Sequence, residues 1–115
     1  MKKISKDQET LAESFRSYLR KKNMSENTGD AYGRTIRQLL SIYPIPTESL
    51  LRKYRSLLIA NYRPATINQR IYAVNHFLLF LEEEQPKLYP DLASFRLHAV
   101  KISRDTFQDS IITNE

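Results

Sequence analysis

Residues 63–81 read "RPATINQRIYAVNHFLLFL". How this stretch folds decides the architecture of the 115-residue chain. Pro64 holds Arg63 extended and fits the first position of a helix. Ile67, Ile71, Val74, Leu78 and Leu81 then recur at helical spacing, flanked by Phe77, and predict a long buried helix running to about Glu84. Its other side carries Asn68, Gln69, Tyr72 and His76, with Asn75 at the edge. A helix that plugs a core has no need of hydrogen-bonding side chains along one flank, so that flank points to a second task.

Three further helices lead up to it. "SKDQ" is a capping box with Ser5 at the N-cap and Gln8 at N3, followed by Leu11, Phe15, Tyr18 and Leu19 on one face. Ser25 caps a second helix, with Tyr32, Ile36, Leu39, Leu40 and Tyr43 inward and Asp30, Arg34, Arg37, Gln38 and Ser41 outward. Thr47 caps a third, with Leu50, Leu51, Tyr54, Leu57 and Leu58 as its stripe, and "DLASFRL" suggests one short helix after Pro90. No strand alternation competes, and the connections are short. The expected class is all-α: a compact four-helix orthogonal bundle with a possible short fifth helix. Residues 1–97 form that domain, and residues 98–115 read as a linker.

Composition narrows the function. The chain has no cysteine, which excludes disulfides and thiolate chemistry. His76 and His98 lack partners at ligand spacing, so neither a metal nor a cofactor is expected. There is no serine–histidine–acid arrangement, no phosphate loop and no zinc motif, and the tyrosines mostly occupy core positions, so catalysis has no footing here. No signal peptide or membrane-length apolar run is present, which implies a cytoplasmic protein without a membrane partner. Residues 1–81 hold fourteen Lys/Arg against six Asp/Glu, whereas residues 82–115 hold four against seven. A basic body with an acidic tail favours an anionic partner.

Helices two and four supply side chains suited to one. Arginine forks onto guanine or phosphate, Asn and Gln pair with adenine edges, and Thr and Tyr hydroxyls bond phosphate oxygens. Both helices place a threonine three residues past the cap (Thr28 and Thr66), where free N–H groups and the helix dipole favour phosphate. Gly29 and Gly33, one turn apart beside the core stripe, suit close approach of a neighbouring helix better than of a DNA backbone.

"MSENTGDAYGRTIRQLLSIY" followed by "RPATINQRIYAVNHFLLFLEEE" resembles the N-terminal core-binding domain of the tyrosine recombinases, the phage-integrase family. Ser25, Thr28 and Tyr32 match the first half of that pattern, and Thr66, Ile67, Arg70, Ala73, Phe77 and Phe80 the second. The tail "VKISRDTFQDSIITNE" is similar to the linker and the opening of the family's catalytic domain. The resemblance implies a SAM-like bundle that binds double-stranded DNA at a core recombination site, next to a catalytic domain and neighbouring protomers, and that is a monomer when isolated. It implies DNA contacts by Thr28, Ala31, Arg34 and Gln38 and by Ala65, Thr66, Gln69, Tyr72 and His76. Lys22, Arg63 and Asn68 join this set on charge and placement. Arg63 stands where the family favours a small polar cap, and Asp30 where a basic or neutral residue would suit DNA better. The family's catalytic residues belong to its other domain, and none is assigned here. The rival reading is a helical protein–protein interaction module, which calls for an exposed apolar patch that the sequence does not show.

Overall fold

A computed structural model describes residues 4–92 and 94–101. Four helices run in order: α1 Lys6–Lys21, α2 Glu26–Ile42, α3 Glu48–Asn61 and α4 Pro64–Glu84, followed by a single 3-10 turn, Pro90–Leu92. The architecture is all-α, as the periodicity predicts. Among the described residues the short fifth helix amounts to that one turn, and no helix is long and apolar enough to cross a membrane.

The helix ends follow the sequence signals. Ser5 and Gln8 form the reciprocal capping box, and Ser25 and Thr47 each accept from the backbone N–H three residues on. Helix α4 begins at Pro64 with no side-chain cap from Arg63. Helix α1 closes in a Schellman arrangement: Met24 N–H bonds Leu19 O at 3.1 Å and Asn23 N–H bonds Arg20 O at 3.0 Å. That geometry needs a residue at positive φ, and Asn23 supplies it at 61°.

The core gathers one stripe from each helix. Phe15, Tyr18, Leu19, Ile36, Leu39, Leu40, Leu51, Tyr54, Leu58, Ile71, Phe77 and Leu78 are fully buried. Phe15 meets Phe77 edge to face with ring centroids 5.3 Å apart, and Phe80 tilts against both rings. Three inward assignments change. Leu57 is 38% exposed, and Leu50 and Tyr43 are only half-buried, at the start of α3 and the end of α2. Helix α3 therefore presents a narrower apolar face than its five spaced residues imply.

Helices α2 and α4 run in opposite directions. Tyr32 packs its ring on His76 at 5.2 Å, whereas Gln38, farther along α2, bonds Arg70, nearer the start of α4. Thr28 and Thr66 thus lie toward opposite ends of the α2/α4 pair. The matched helix starts do not converge on one point, and the two helices instead present one continuous face.

Candidate nucleic-acid interface

Between α2 and α4 lies an open cleft of about 380 Å³. Ala31, Arg34, Thr35, Arg37 and Gln38 line it from α2, and Thr66, Gln69 and Arg70 from α4. None of these residues is acidic. Of the expected residues, Ala31, Arg34, Gln38, Thr66 and Gln69 are brought together here.

The electrostatics of this face follow from which arginines already have partners. Arg16, Arg20, Arg37, Arg52 and Arg96 each contact a carboxylate. Arg55 donates to the His98 carbonyl at 2.7 Å. Among the described residues Arg34, Arg63 and Arg70 pair with no acid, and all three belong to α2 or to the start of α4. Cations without local counter-charges give a surface its net potential.

Arg70 is the contributor that the helical wheel did not single out. Its Nη1 donates to Gln38 Oε1 at 2.7 Å, and its guanidinium lies 4.7 Å from the centre of the Tyr62 ring. The Tyr54 hydroxyl donates to the same Gln38 oxygen at 3.4 Å, and burial pushes the Tyr54 phenol up, which keeps it a donor. One signal was available in the sequence: no acid stands within one helical turn of Arg70. Gln38 is accordingly half-buried, its oxygen committed to Arg70 and not to a base edge.

The other expected residues sort by position. Arg63 and Ala65 are exposed in the first turn of α4. Gln69 and Tyr72 are exposed along its outer stripe, Tyr72 at 48%. His76 Nδ1 lies 2.8 Å from the Tyr72 carbonyl, which only accepts, so Nδ1 is the donor in that contact and Nε2 is left for another partner. The Thr28 hydroxyl oxygen accepts from Ser25 Oγ at 2.9 Å.

Two placements require correction. Lys22 Nζ sits 3.4 Å from Glu83 and over the Tyr18 ring, at the C-terminal end of α4. A carboxylate already neutralises it there, two turns beyond His76. Asn68 is 6% exposed and does not face solvent. Its amide donates to Val100 O at 2.9 Å and accepts from Val100 N–H at 2.7 Å. The same amide cannot also read a base.

Asp30 and the glycines resolve together. Arg16 reaches across from α1 and meets Asp30 at 2.7 Å and Glu26 at 3.3 Å. A Cβ on Gly29 would overlap the Arg16 guanidinium, and one on Gly33 would come 2.9 Å from Arg16 Cδ. The glycines admit a side chain of the neighbouring helix, and Asp30 turns aside to meet it.

Away from this cleft, Ile45 and Leu88 are 70% and 48% exposed and border a groove of about 690 Å³ with Pro46, Tyr89 and Leu92. The sequence showed no apolar patch; the fold assembles this one from two loops. Among the described residues no cluster of His, Cys, Asp or Glu could hold a metal ion.

The chain is similar to a protein described as "Tyrosine recombinase XerD-like" from Streptococcus sanguinis (strain SK36), with 31% identity over 96 residues. The match takes in 83% of this chain and 38% of that protein, so the chain spans well under half of its relative's length. The similarity supports the tyrosine recombinase family. No family model matches the chain, and no solved structure does.

Proposed function

We propose that the chain is a DNA-binding domain of a tyrosine recombinase, of the SAM-like core-binding type, and that its α2/α4 face docks on the recombination site while a catalytic domain outside this chain performs strand exchange. The observation that carries the proposal is the meeting of Arg34 and Arg70, neither of them paired with a carboxylate among the described residues, in a cleft with no acidic lining, with the exposed Arg63 at the start of α4. Phosphates supply most of the affinity. Gln69, Thr66, Tyr72 and His76 lie along the outward side of α4 and add base contacts. Residues 102–115, which resemble the approach to a catalytic domain, lie outside the described residues.

A mobility-shift titration against salt tests this. Neutralising four to six phosphates gives a log–log slope of roughly −4 to −5. Arg34→Ala lowers its magnitude by about 1, whereas Arg52→Ala, already paired with Glu48, leaves it unchanged. A slope near zero overturns the proposal.

The groove beside Ile45 and Leu88 keeps a second reading in play, a protein-binding module. In that case Ile45→Asp abolishes partner binding and DNA has no effect on the α2/α4 amide signals.

A further inference from the structure

After the Pro90–Leu92 turn the chain comes back along α4 as an extended strap. Three residues of α4 spaced one heptad apart receive it: Glu82, Asn75 and Asn68. Glu82 bonds Arg96 Nη2 at 2.7 Å. Asn75 donates to Leu97 O at 3.0 Å and accepts from Leu97 N–H at 2.8 Å. Asn68 repeats that pair on Val100. Each asparagine amide therefore takes the place of a peptide group in a two-bond ladder. The spacing is metrically consistent, since seven helical residues rise about 10.5 Å and three extended residues cover about 10 Å. From the α3 side, Arg55 holds the His98 carbonyl at 2.7 Å. Leu97 is 6% exposed and Val100 half-buried, while His98 and Ala99 face solvent.

A strap held by Leu97 alone could slide or swing. Two bidentate contacts fix both its register and its direction, which runs toward the N-terminal end of α4. They also account for burying polar amides, because an unpaired one costs about 1–3 kcal/mol.

We propose that Asn68 and Asn75 are positioning residues: they zip residues 97–100 onto α4, so that the strap's exit at Lys101 is held beside the N-terminal turns of α4, which carry Thr66 and Gln69. This rests on the DNA reading only for what lies next to that exit; the docking stands without it. The asparagines read backbone alone, so the device tolerates any side chain at positions 98 and 99.

The chain has no cysteine, so Lys101→Cys gives a single labelling site. In the otherwise unchanged chain, a nitroxide there broadens the Thr66 and Gln69 amide signals, and the Leu97 and Val100 amides exchange with solvent at least about tenfold more slowly than those of His98 and Ala99. In Asn68→Ala/Asn75→Ala both effects vanish while the helical amides of α1 and α2 keep their protection. Val100→Pro, which removes only one end of the ladder and leaves α4 untouched, loses the broadening; Ala99→Pro keeps it. Broadening that survives the double substitution, or that never reaches Thr66, overturns the proposal. A benzophenone attached to the thiol of Lys101→Cys then separates the two readings. Cross-linking to duplex DNA that falls in the double variant supports both. An intact exchange pattern with no cross-link in any variant supports the docked strap and overturns the DNA face.

Discussion

Arg16 Nη2 stands 2.7 Å from Asp30 Oδ1, and that contact takes from Arg34 the carboxylate one turn before it on the same helix. Asp30 and Arg34 have i, i+4 spacing, at which opposite charges ordinarily pair. Arg16, with its side chain only 13% exposed, reaches Asp30 from the neighbouring helix instead. A residue on α1 thereby keeps a cation on α2 without a counter-charge.

Arg16→Ala should therefore weaken DNA binding although Arg16 lies off the α2/α4 cleft. With its partner gone, Asp30 turns to Arg34, and the salt slope falls by about 1 as that phosphate contact is lost. Asp30→Asn added to Arg16→Ala should restore the slope, since no carboxylate remains to pair with Arg34. Mobility shifts over a salt series check both variants, and a lower slope that persists in the double variant refutes the coupling.

The Gln38–Arg70 bond yields a prediction with opposite signs for stability and binding. Gln38→Glu converts the 2.7 Å bond into a charge-assisted one, which is about twice as strong. The melting temperature should hold or rise. DNA affinity should nevertheless fall, because the new carboxylate neutralises Arg70 inside the cleft. Gln38→Ala frees the guanidinium and should lower affinity less. Calorimetry and fluorescence anisotropy on the two variants decide the matter: equal losses of affinity would show that Arg70 does not contact the ligand.

The glycines of α2 give a test of packing. Alanine in place of a helical glycine stabilises by about 1 kcal/mol when the site has room. At Gly29 the new methyl would collide with the Arg16 guanidinium, a flexible group that can move only by giving up its contacts with Asp30 and Glu26. Gly29→Ala should thus be near neutral in the native background and stabilising by up to about 1 kcal/mol in Arg16→Ala. A double-mutant cycle by chemical denaturation measures this sign change.

These tests also mark what could be read along the chain. Caps, helix count and most of the core follow from local chemistry, since a cap oxygen and its N–H are three residues apart. Gln69, Arg34 and Thr66 follow from helical phase. Asn68 does not: the wheel places it one step from Gln69, and only the returning strap distinguishes the two, through contacts 32 residues away. Lys22 fails for a similar reason, because its neutralising partner Glu83 is 61 positions distant. The two threonine-bearing starts looked equivalent in sequence, yet the antiparallel course of α2 and α4 separates them, and helix direction is a tertiary property. Leu57 sits at the edge of the α3 stripe, off the line of the buried Leu51, Tyr54 and Leu58, and the face that packs is too narrow to cover it.

The Tyr18–Glu83 contact sets a pH dependence at both ends of the scale and lies apart from the proposed DNA face. Burial, then the 2.8 Å bond to Glu83, pushes the Tyr18 phenol up to about 12, and that bond holds the Glu83 carboxyl below its ordinary value. For Glu83 the folded pKa is depressed, so its contribution is present above the unfolded value and is lost as pH falls through the folded one. For Tyr18 the folded pKa is raised, so its contribution is present below the unfolded value and is lost as pH climbs toward about 12. Tyr18→Phe keeps the ring against Phe80 and deletes the hydroxyl. Its melting temperature should change less than that of the native chain in both the acid and the alkaline limb, and its DNA affinity at neutral pH should be unaltered. Thermal melts across the pH range, paired with one anisotropy titration at pH 7, check this; a loss of DNA affinity in Tyr18→Phe would draw the Lys22 end of α4 back into the interface.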